Sequence, residues 1–502
     1  MPAKTTVRQL LRAGRDGDPA LGAPERPALN YLSLRALVDR TIGDLNRAGI
    51  GRGDRAAIVL PNGPEMASAF LSVSSAAVAA PLNPAYRADE FEFYLTDLRA
   101  RALLVEQGSQ SPAIPVAERL GIRIVTLIAE GEAGAFRLAI DNSGQAAAPG
   151  PAESEDVALV LHTSGTTSRP KIVPLKQRNL AVSAQNIAAW LNFSASDVGL
   201  NIMPLFHIHG LMAGLLAPLS RGGSVFCTPG FNALKFFAWM EEAKPTWYTA
   251  VPTMHQAILM RARQNAETIA RHPLRFVRSS SSSIPPQVIA QLEKTFDAPL
   301  VEAYGMTEAS HQMASNPLTG LRKAGSVGRP AGPEISILDE SGRVRPRGAG
   351  EIVIRGESVT AGYENNPQAN ADGFVAGWFR TGDQGMIDED GFLFLTGRIK
   401  EIINRAGEKI SPREIDEILM DHPALQQVVT FAVPHKLLGE EVAAAVVLRQ
   451  GQAVTEAELR AFAAERLADF KVPKSILFLE SIPLGATGKL QRIGLAQKLG
   501  LA

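Results

Sequence analysis

Leu159-Val160-Leu161-His162-Thr163-Ser164-Gly165-Thr166-Thr167-Ser168-Arg169-Pro170-Lys171 is the stretch on which the fold turns. From Val157 to Leu161 the chain is apolar and reads as a buried strand, which empties into hydroxyls punctuated by one glycine and one proline. Backbone N–H groups, clustered hydroxyls and the ammonium of Lys171 offer what a polyphosphate needs, many donors and positive charge. A Walker loop is excluded. Its G-x-x-x-x-G-K-[ST] pattern runs straight into a helix, whereas here Gly165 stands alone and Pro170 occupies the place where a helix would be under way. A plain polar hairpin between Val157–Leu161 and Ile172–Leu175 uses the same residues, so this stretch leaves two readings open, a nucleotide loop and an ordinary turn.

The surrounding chain narrows the choice. At 502 residues it exceeds what one hydrophobic core supports, so two or three domains are expected. Its 51 basic residues balance 51 acidic ones, which leaves no electrostatic footprint for nucleic acid or an anionic membrane. Cys227 is the sole cysteine, so neither a disulfide framework nor a cysteine metal cluster is available, as suits a reducing compartment. The first twenty residues lack the apolar core of a signal peptide, no run of about 18 apolar residues occurs, and Gly500-Leu501-Ala502 is not the S-K-L address. The expectation is a cytoplasmic protein, monomer or homodimer.

Upstream, helical and strand patterns alternate: Leu34–Ala48 as an amphipathic helix, Arg55–Leu60 as a strand, Glu65–Ala80 as a buried helix, then Ala88–Ala100 and Ala102–Val105. Such alternation predicts an α/β layer structure with a largely parallel sheet. Downstream, His207 and His209 lie two apart in a segment expected to be extended, which would put both on one side. A metal reading fails for want of a third ligand. They are left as hydrogen-bonded core or pocket residues, with Phe206 or His209 open as a substrate-cavity wall. Ser279 to Ser283, after the strand Phe276–Val277 and before a helix start, is a flexible loop or a site loop, since ligands in open α/β sheets bind beyond the strands' carboxyl ends. The strand Leu300–Ala303 opens into Tyr304-Gly305-Met306-Thr307-Glu308, an aromatic face, a close-approach glycine, a hydroxyl and a carboxylate together. This suits base stacking, phosphate approach and a divalent cation, or else a turn with a core tyrosine. Asp383, in a Gly turn after Trp378, is placed to accept from ribose hydroxyls. Composition shifts at Gly397–Glu401, so the chain is divided into a large domain over 1–397 and a small βαβ-like domain over 398–502.

In this order, His162–Lys171, Tyr304–Glu308, Thr381–Asp383, Gly397–Glu401 and Gly488-Lys489, the motifs resemble the adenylate-forming superfamily of acyl-CoA synthetases, luciferases and adenylation domains. Ser168 departs from the usual glycine. The resemblance implies a large multi-layer α/β domain plus a small mobile α+β domain, an ATP- and Mg²⁺-dependent acid–CoA ligase, and ATP, CoA and a small carboxylate as its partners. It further implies that Thr163, Ser164, Gly165, Thr166, Thr167 and Lys171 hold the β and γ phosphates, that Thr307 touches the α-phosphate, and that Glu308 binds Mg²⁺. Glu302, Ala303, Tyr304 and Gly305 would face the nucleotide, with Tyr304 on adenine, and Asp383 with Arg398 would hold the ribose. Lys489 would bridge carboxylate and α-phosphate, Lys400 would be the hinge, and Gly407, in the Arg405–Lys409 loop, would line the pantetheine path. Pro204–Ala213, the serines after Arg278 and Met306–Pro317 further resemble oxalate–CoA ligases. A dicarboxylate needs donors against its second charge, and His209, Ser281, Ser283 and His311 are the candidates. A malonate or medium-chain ligase, a non-catalytic binding paralogue and a luciferase-like oxygenase are the alternatives.

Overall fold

Asn30 opens the first long helix, Tyr31–Arg47, by accepting from the backbone of Ser33 at 2.8 Å, and Leu34, Leu37, Val38, Ile42 and Leu45 form its buried stripe. The protein is described from a computed structural model covering residues 4–140, 144–163, 170–483 and 492–502. This helix, with Pro64–Ser74 and Gln177–Trp190, belongs to a continuous core that also takes in apolar residues of two large sheets. Pro64–Ser74 is buried on all sides except at Glu65, which pairs with Arg26 at 2.6 Å. Burial of each large apolar side chain there contributes about 1.5–3 kcal/mol.

The first sheet has seven strands, five of them parallel neighbours, and ends in Val78–Pro81, Val157–Thr163 and Lys171–Lys176. The expected helix over Glu65–Ala80 is therefore too long. It stops at Ser74, and Val78–Pro81 is a buried strand between Arg55–Val59 and Val157–Thr163. An unbroken apolar run carries no period by which a buried helix and a buried strand could be told apart.

A nine-stranded sheet holds Val198–Asn201, Trp247–Ala250, Phe276–Ser280 and Leu300–Met306 as parallel neighbours, with Thr249 beside Arg278 and Ser279 beside Glu302. Two of the five serines thus complete a buried strand, and only Ser281–Ser283 form the loop beyond it. The segment holding His207 and His209 is not extended. His207 precedes a short helix, Ile208–Leu211, and its ring Nδ1 accepts from the backbone of His209 at 3.3 Å.

A third, antiparallel sheet runs from Glu334–Leu338 through Gly348–Arg355 and Trp378–Ile387 to Leu393–Arg398. The fourth contains Ile403–Arg405, Glu408–Ile410, Leu425–His435, Gly439–Leu448 and Ser475–Phe478, with helices Pro412–Met420 and Glu456–Ala464 contributing to its core. Its longest pairing, between Leu425–His435 and Gly439–Leu448, is antiparallel, while Ser475–Phe478 joins in parallel. The large α/β body and the smaller α+β unit match the fold class expected from the sequence. Among the described residues no helix is long and apolar enough to cross a membrane.

Candidate active site

Three neighbouring strands, Trp247–Ala250, Phe276–Ser280 and Leu300–Met306, deliver their carboxyl ends to one cleft of about 320 Å³. Ser281, Ser283, Glu302, Ala303, Tyr304 and Gly305 line it, joined by Asp383 and Arg398 from the third sheet. Arg413, Asp416 and Glu417 of helix Pro412–Met420 form the opposite wall. Two elements far apart in sequence are tied together here. The Tyr304 hydroxyl donates to Asp383 Oδ2 at 2.5 Å, and Arg398 Nε donates to Asp383 Oδ1 at 2.8 Å.

Gly305 is needed for a reason other than phosphate approach: a Cβ there would stand 1.7 Å from the carbonyl oxygen of His311. The strand Leu300–Met306 turns back through Thr307–Ala309 onto His311–Ser315, and the glycine admits that return. Thr307 is half-buried, whereas Glu308 is buried.

Val157–Thr163 and Lys171–Lys176 do form an antiparallel hairpin, with Thr163 opposite Lys171. The hairpin and nucleotide-loop readings are compatible, because the strands fix where the loop springs from. Ser164, Gly165, Thr166 and Thr167 lie outside the described residues, as does Lys489. At the loop's base, Lys171 Nζ sits 4.3 Å from the centre of the Tyr363 ring, and the Tyr363 hydroxyl donates to Glu308 Oε1 at 2.9 Å. Thr360 joins the same three segments: its N–H donates to the Glu308 carbonyl at 2.7 Å and its hydroxyl to the Pro174 carbonyl at 2.9 Å. Tyr363 went unmarked in the sequence, where Gly362-Tyr363-Glu364 reads as an ordinary turn.

His209 and His311 do not line the cleft. They lie behind Ser281, 0 % and 2 % exposed, with stacked rings 4.9 Å apart. His209 Nδ1 meets the Ser281 hydroxyl at 3.1 Å. Arg278, wholly buried, bridges the pair and donates to both Nε2 atoms at 3.3 and 3.1 Å. Ser281 and His311 both take left-handed backbone angles, φ +77° and +94°, a conformation that concentrates at ligand sites. Lys400 lies in the short helix Ile399–Glu401, near enough to help lower the pKa of Lys171. Gly407, φ +93°, makes the two-residue turn joining Ile403–Arg405 to Glu408–Ile410.

Comparison with known proteins bears on what this geometry is for. The AMP-binding enzyme family model matches residues 12–364, and the AMP-binding enzyme C-terminal domain matches 414–489. The chain belongs to the AMP-binding enzymes. Oxalate–CoA ligase of Arabidopsis thaliana is 47% identical over 489 residues, covering 95% of each chain. Oxalate–CoA ligase of Saccharomyces cerevisiae is 43% identical over 477 residues, 89% of this chain and 87% of its own. The ATP-bound crystal structure of MatB from Rhodopseudomonas palustris superposes with a TM-score of 0.88 at 28% identity, covering 99% of both chains. Within its family this AMP-binding enzyme is an acid–CoA ligase, with ATP, CoA and a small carboxylate as substrates.

Burial sets the electrostatics of this AMP-binding enzyme's cleft. It pushes the Glu302 carboxyl up to about 7 and raises Glu308 as well, the latter against the opposing pull of the Tyr363 hydroxyl. The Asp383 carboxylate holds the Arg398 guanidinium firmly protonated. Lys171 is lowered, chiefly by burial and then by Lys400. A wall of this kind holds fixed hydrogen bonds and one committed ion pair, Arg398 with Asp383.

Proposed function

We propose that this enzyme activates oxalate: a carboxylate oxygen attacks the α-phosphorus of ATP, pyrophosphate leaves, and the oxalyl-adenylate then passes its acyl group to CoA. In the second step the thiol sulfur attacks the acyl carbonyl, the thiol proton is lost, and the C–O bond to AMP breaks. The observation that carries the acid's identity is the polar end of the cleft, where Ser281 is backed by the buried His209. A fatty acyl chain would strand those donors without partners. Both oxalate–CoA ligase relatives support the same reading.

The residues take the following parts. Tyr304 and Asp383 with Arg398 form the adenosine wall, and the Tyr304–Asp383 bond fixes the ring before nucleotide arrives. Lys171, held over Tyr363, brings positive charge to the phosphates beside the base of the hydroxyl loop from Thr163 to Thr167. Thr307 faces the α-phosphate. Ser281 and Ser283 receive the acid, with His209 and His311 behind them.

Glu308 is the carboxylate for Mg²⁺. Among the described residues no group of three His, Cys, Asp or Glu forms a metal cage. A single buried carboxylate fits Mg²⁺, which takes few protein ligands and relies on phosphate and water. Bound Mg²⁺ supplies charge neutralisation on the phosphates. Lys489 is assigned to bridging acid and α-phosphate. The division into 1–397 and 398–502, with Lys400 as hinge and Gly407 on the pantetheine path, is supported by the change of sheet between Arg398 and Ile403.

The test is a panel of acids from oxalate through malonate to octanoate, with ATP and CoA, followed as AMP release. Highest kcat/KM with oxalate is expected. Preference for malonate or a medium-chain acid would replace oxalate and leave the ligase intact. ATP–pyrophosphate exchange absent with every acid would leave a binding protein.

A further inference from the structure

Among the described residues Arg278 is a cation buried without an anion. Four hydrogen bonds from its terminal nitrogens all reach neutral acceptors: His209 Nε2 at 3.3 Å and Thr249 Oγ1 at 3.4 Å from one, His311 Nε2 and Gln312 Oε1, each at 3.1 Å, from the other. Its Nε is buried with no hydrogen-bond partner. Among the described residues no carboxylate forms an ion pair with it, although partly buried arginines elsewhere are paired, Arg492 with Asp416 and Glu401 and Arg405 with Glu441. An uncompensated buried charge opposes folding, so stability alone does not explain it.

The bonds around it point outward. Gln312 Nε2 donates to the Ala331 carbonyl at 3.0 Å, which turns its oxygen toward Arg278. Because Arg278 donates to Nε2 of both histidines, each ring must accept there and keep its proton on Nδ1. His209 Nδ1–H then donates to Ser281 Oγ, 3.1 Å away, and leaves the serine hydroxyl proton to point into the cleft that Ser281 lines. The Thr249 hydroxyl, 2.7 Å from His209 Nε2, is consistent with the same tautomer. A chain of this kind is polarised along its whole length by the cation at its inner end.

We infer that Arg278 sets the pocket's preference for an acid with a second negative charge, acting through His209, His311 and Ser281 and not by touching the substrate. This rests on the oxalate reading above. Arg278 is therefore a positioning residue, and the ligand class it selects is the small dianionic carboxylic acid.

Oxalate and oxamate have nearly the same size and differ by the second charge, so ATP–pyrophosphate exchange with each separates charge recognition from packing. The wild type is expected to prefer oxalate. Arg278→Gln should cut that preference about tenfold or more through the KM for oxalate, with oxamate kinetics changed about twofold or less. Arg278→Lys, which keeps the charge, should recover part of it. Equal loss with both acids would make Arg278 merely structural and overturn the inference while oxalate use by the wild type stands. A wild type inactive with oxalate would overturn the oxalate reading and the inference with it. Should neither variant fold, nitrogen-15 spectra of the wild-type histidines decide: both His209 and His311 must be neutral with the proton on Nδ1, and an Nε2 proton on either refutes the proposal.

Discussion

Replacing Glu302 by Gln should make the nucleotide-free protein more stable at pH 8, not less. Glu302 lies on the strand Leu300–Met306, buried in the cleft wall, and burial holds its carboxyl at about 7 against 4.5 for an open one, with Arg413 only partly opposing the shift. Below pH 4.5 the folded and unfolded chains both carry the proton, and this group's contribution to stability is fully present. As pH rises from 4.5 to 7 the unfolded chain ionises while the folded one keeps its proton, so stability falls by about 1.36 kcal/mol per pH unit across that window and levels off above it. The loss reaches up to about 3 kcal/mol by pH 8. Glutamine has nearly the same shape and no titration. Thermal and urea unfolding of wild type and Glu302→Gln from pH 4 to 8.5 should therefore show midpoints that lie closest at the acid end and separate as pH rises toward 7, with the variant higher above it. A gap independent of pH, or a variant less stable at pH 8, would show that Glu302 is not held protonated by burial.

Three further outcomes follow from the site. Asp383→Asn replaces a charged acceptor of two hydrogen bonds with a group that must turn a donor toward Tyr304 or Arg398, so AMP affinity by calorimetry should drop about ten- to a hundredfold, and an unchanged affinity would remove Asp383 from the adenosine wall. Tyr363→Phe keeps the ring under Lys171 but loses the hydroxyl bond to Glu308, whereas Tyr363→Leu loses both; the KM for ATP should rise about tenfold in the first and further in the second, and equal effects would dismiss the Lys171 contact. Lys489→Ala should slow adenylate formation on the order of a hundredfold to a thousandfold and spare thioester formation from ready-made acyl-adenylate, whereas equal loss of both half-reactions would refute its role.

Much of the fold was legible because strands bounded by Gly and Pro, and helices with a stripe, carry their period in the chain. Tyr31–Arg47 and Pro412–Met420 are of that kind. Where the period vanishes, legibility does too. Glu65–Ala80 is apolar throughout, so the break after Ser74 has no local mark. The serine run misleads in the other direction: Ser279 and Ser280 have loop composition, yet they are strand because their backbone is paired on both sides, beside Ala250 on one and Glu302 and Ala303 on the other. Tertiary pairing there overrides local preference.

The site divides along the same line. Candidates that belong to one motif, such as Tyr304 and Asp383, announce themselves by being unusual where they stand, an aromatic or an acid in a glycine turn. Tyr363 and Arg278 do not, because each acquires meaning only from partners far away in the chain, Lys171 and Glu308 for the one, His209 and His311 for the other. An arginine at the third place of a strand reads as an outward-facing charge until the sheet around it is known. Buried there, it faces Nε2 of two histidines whose protons would otherwise be ambiguous. The candidate residues of this pocket could be named one at a time in the sequence, but the buried charge beside them came into view only once three strands and a returning loop had been laid side by side.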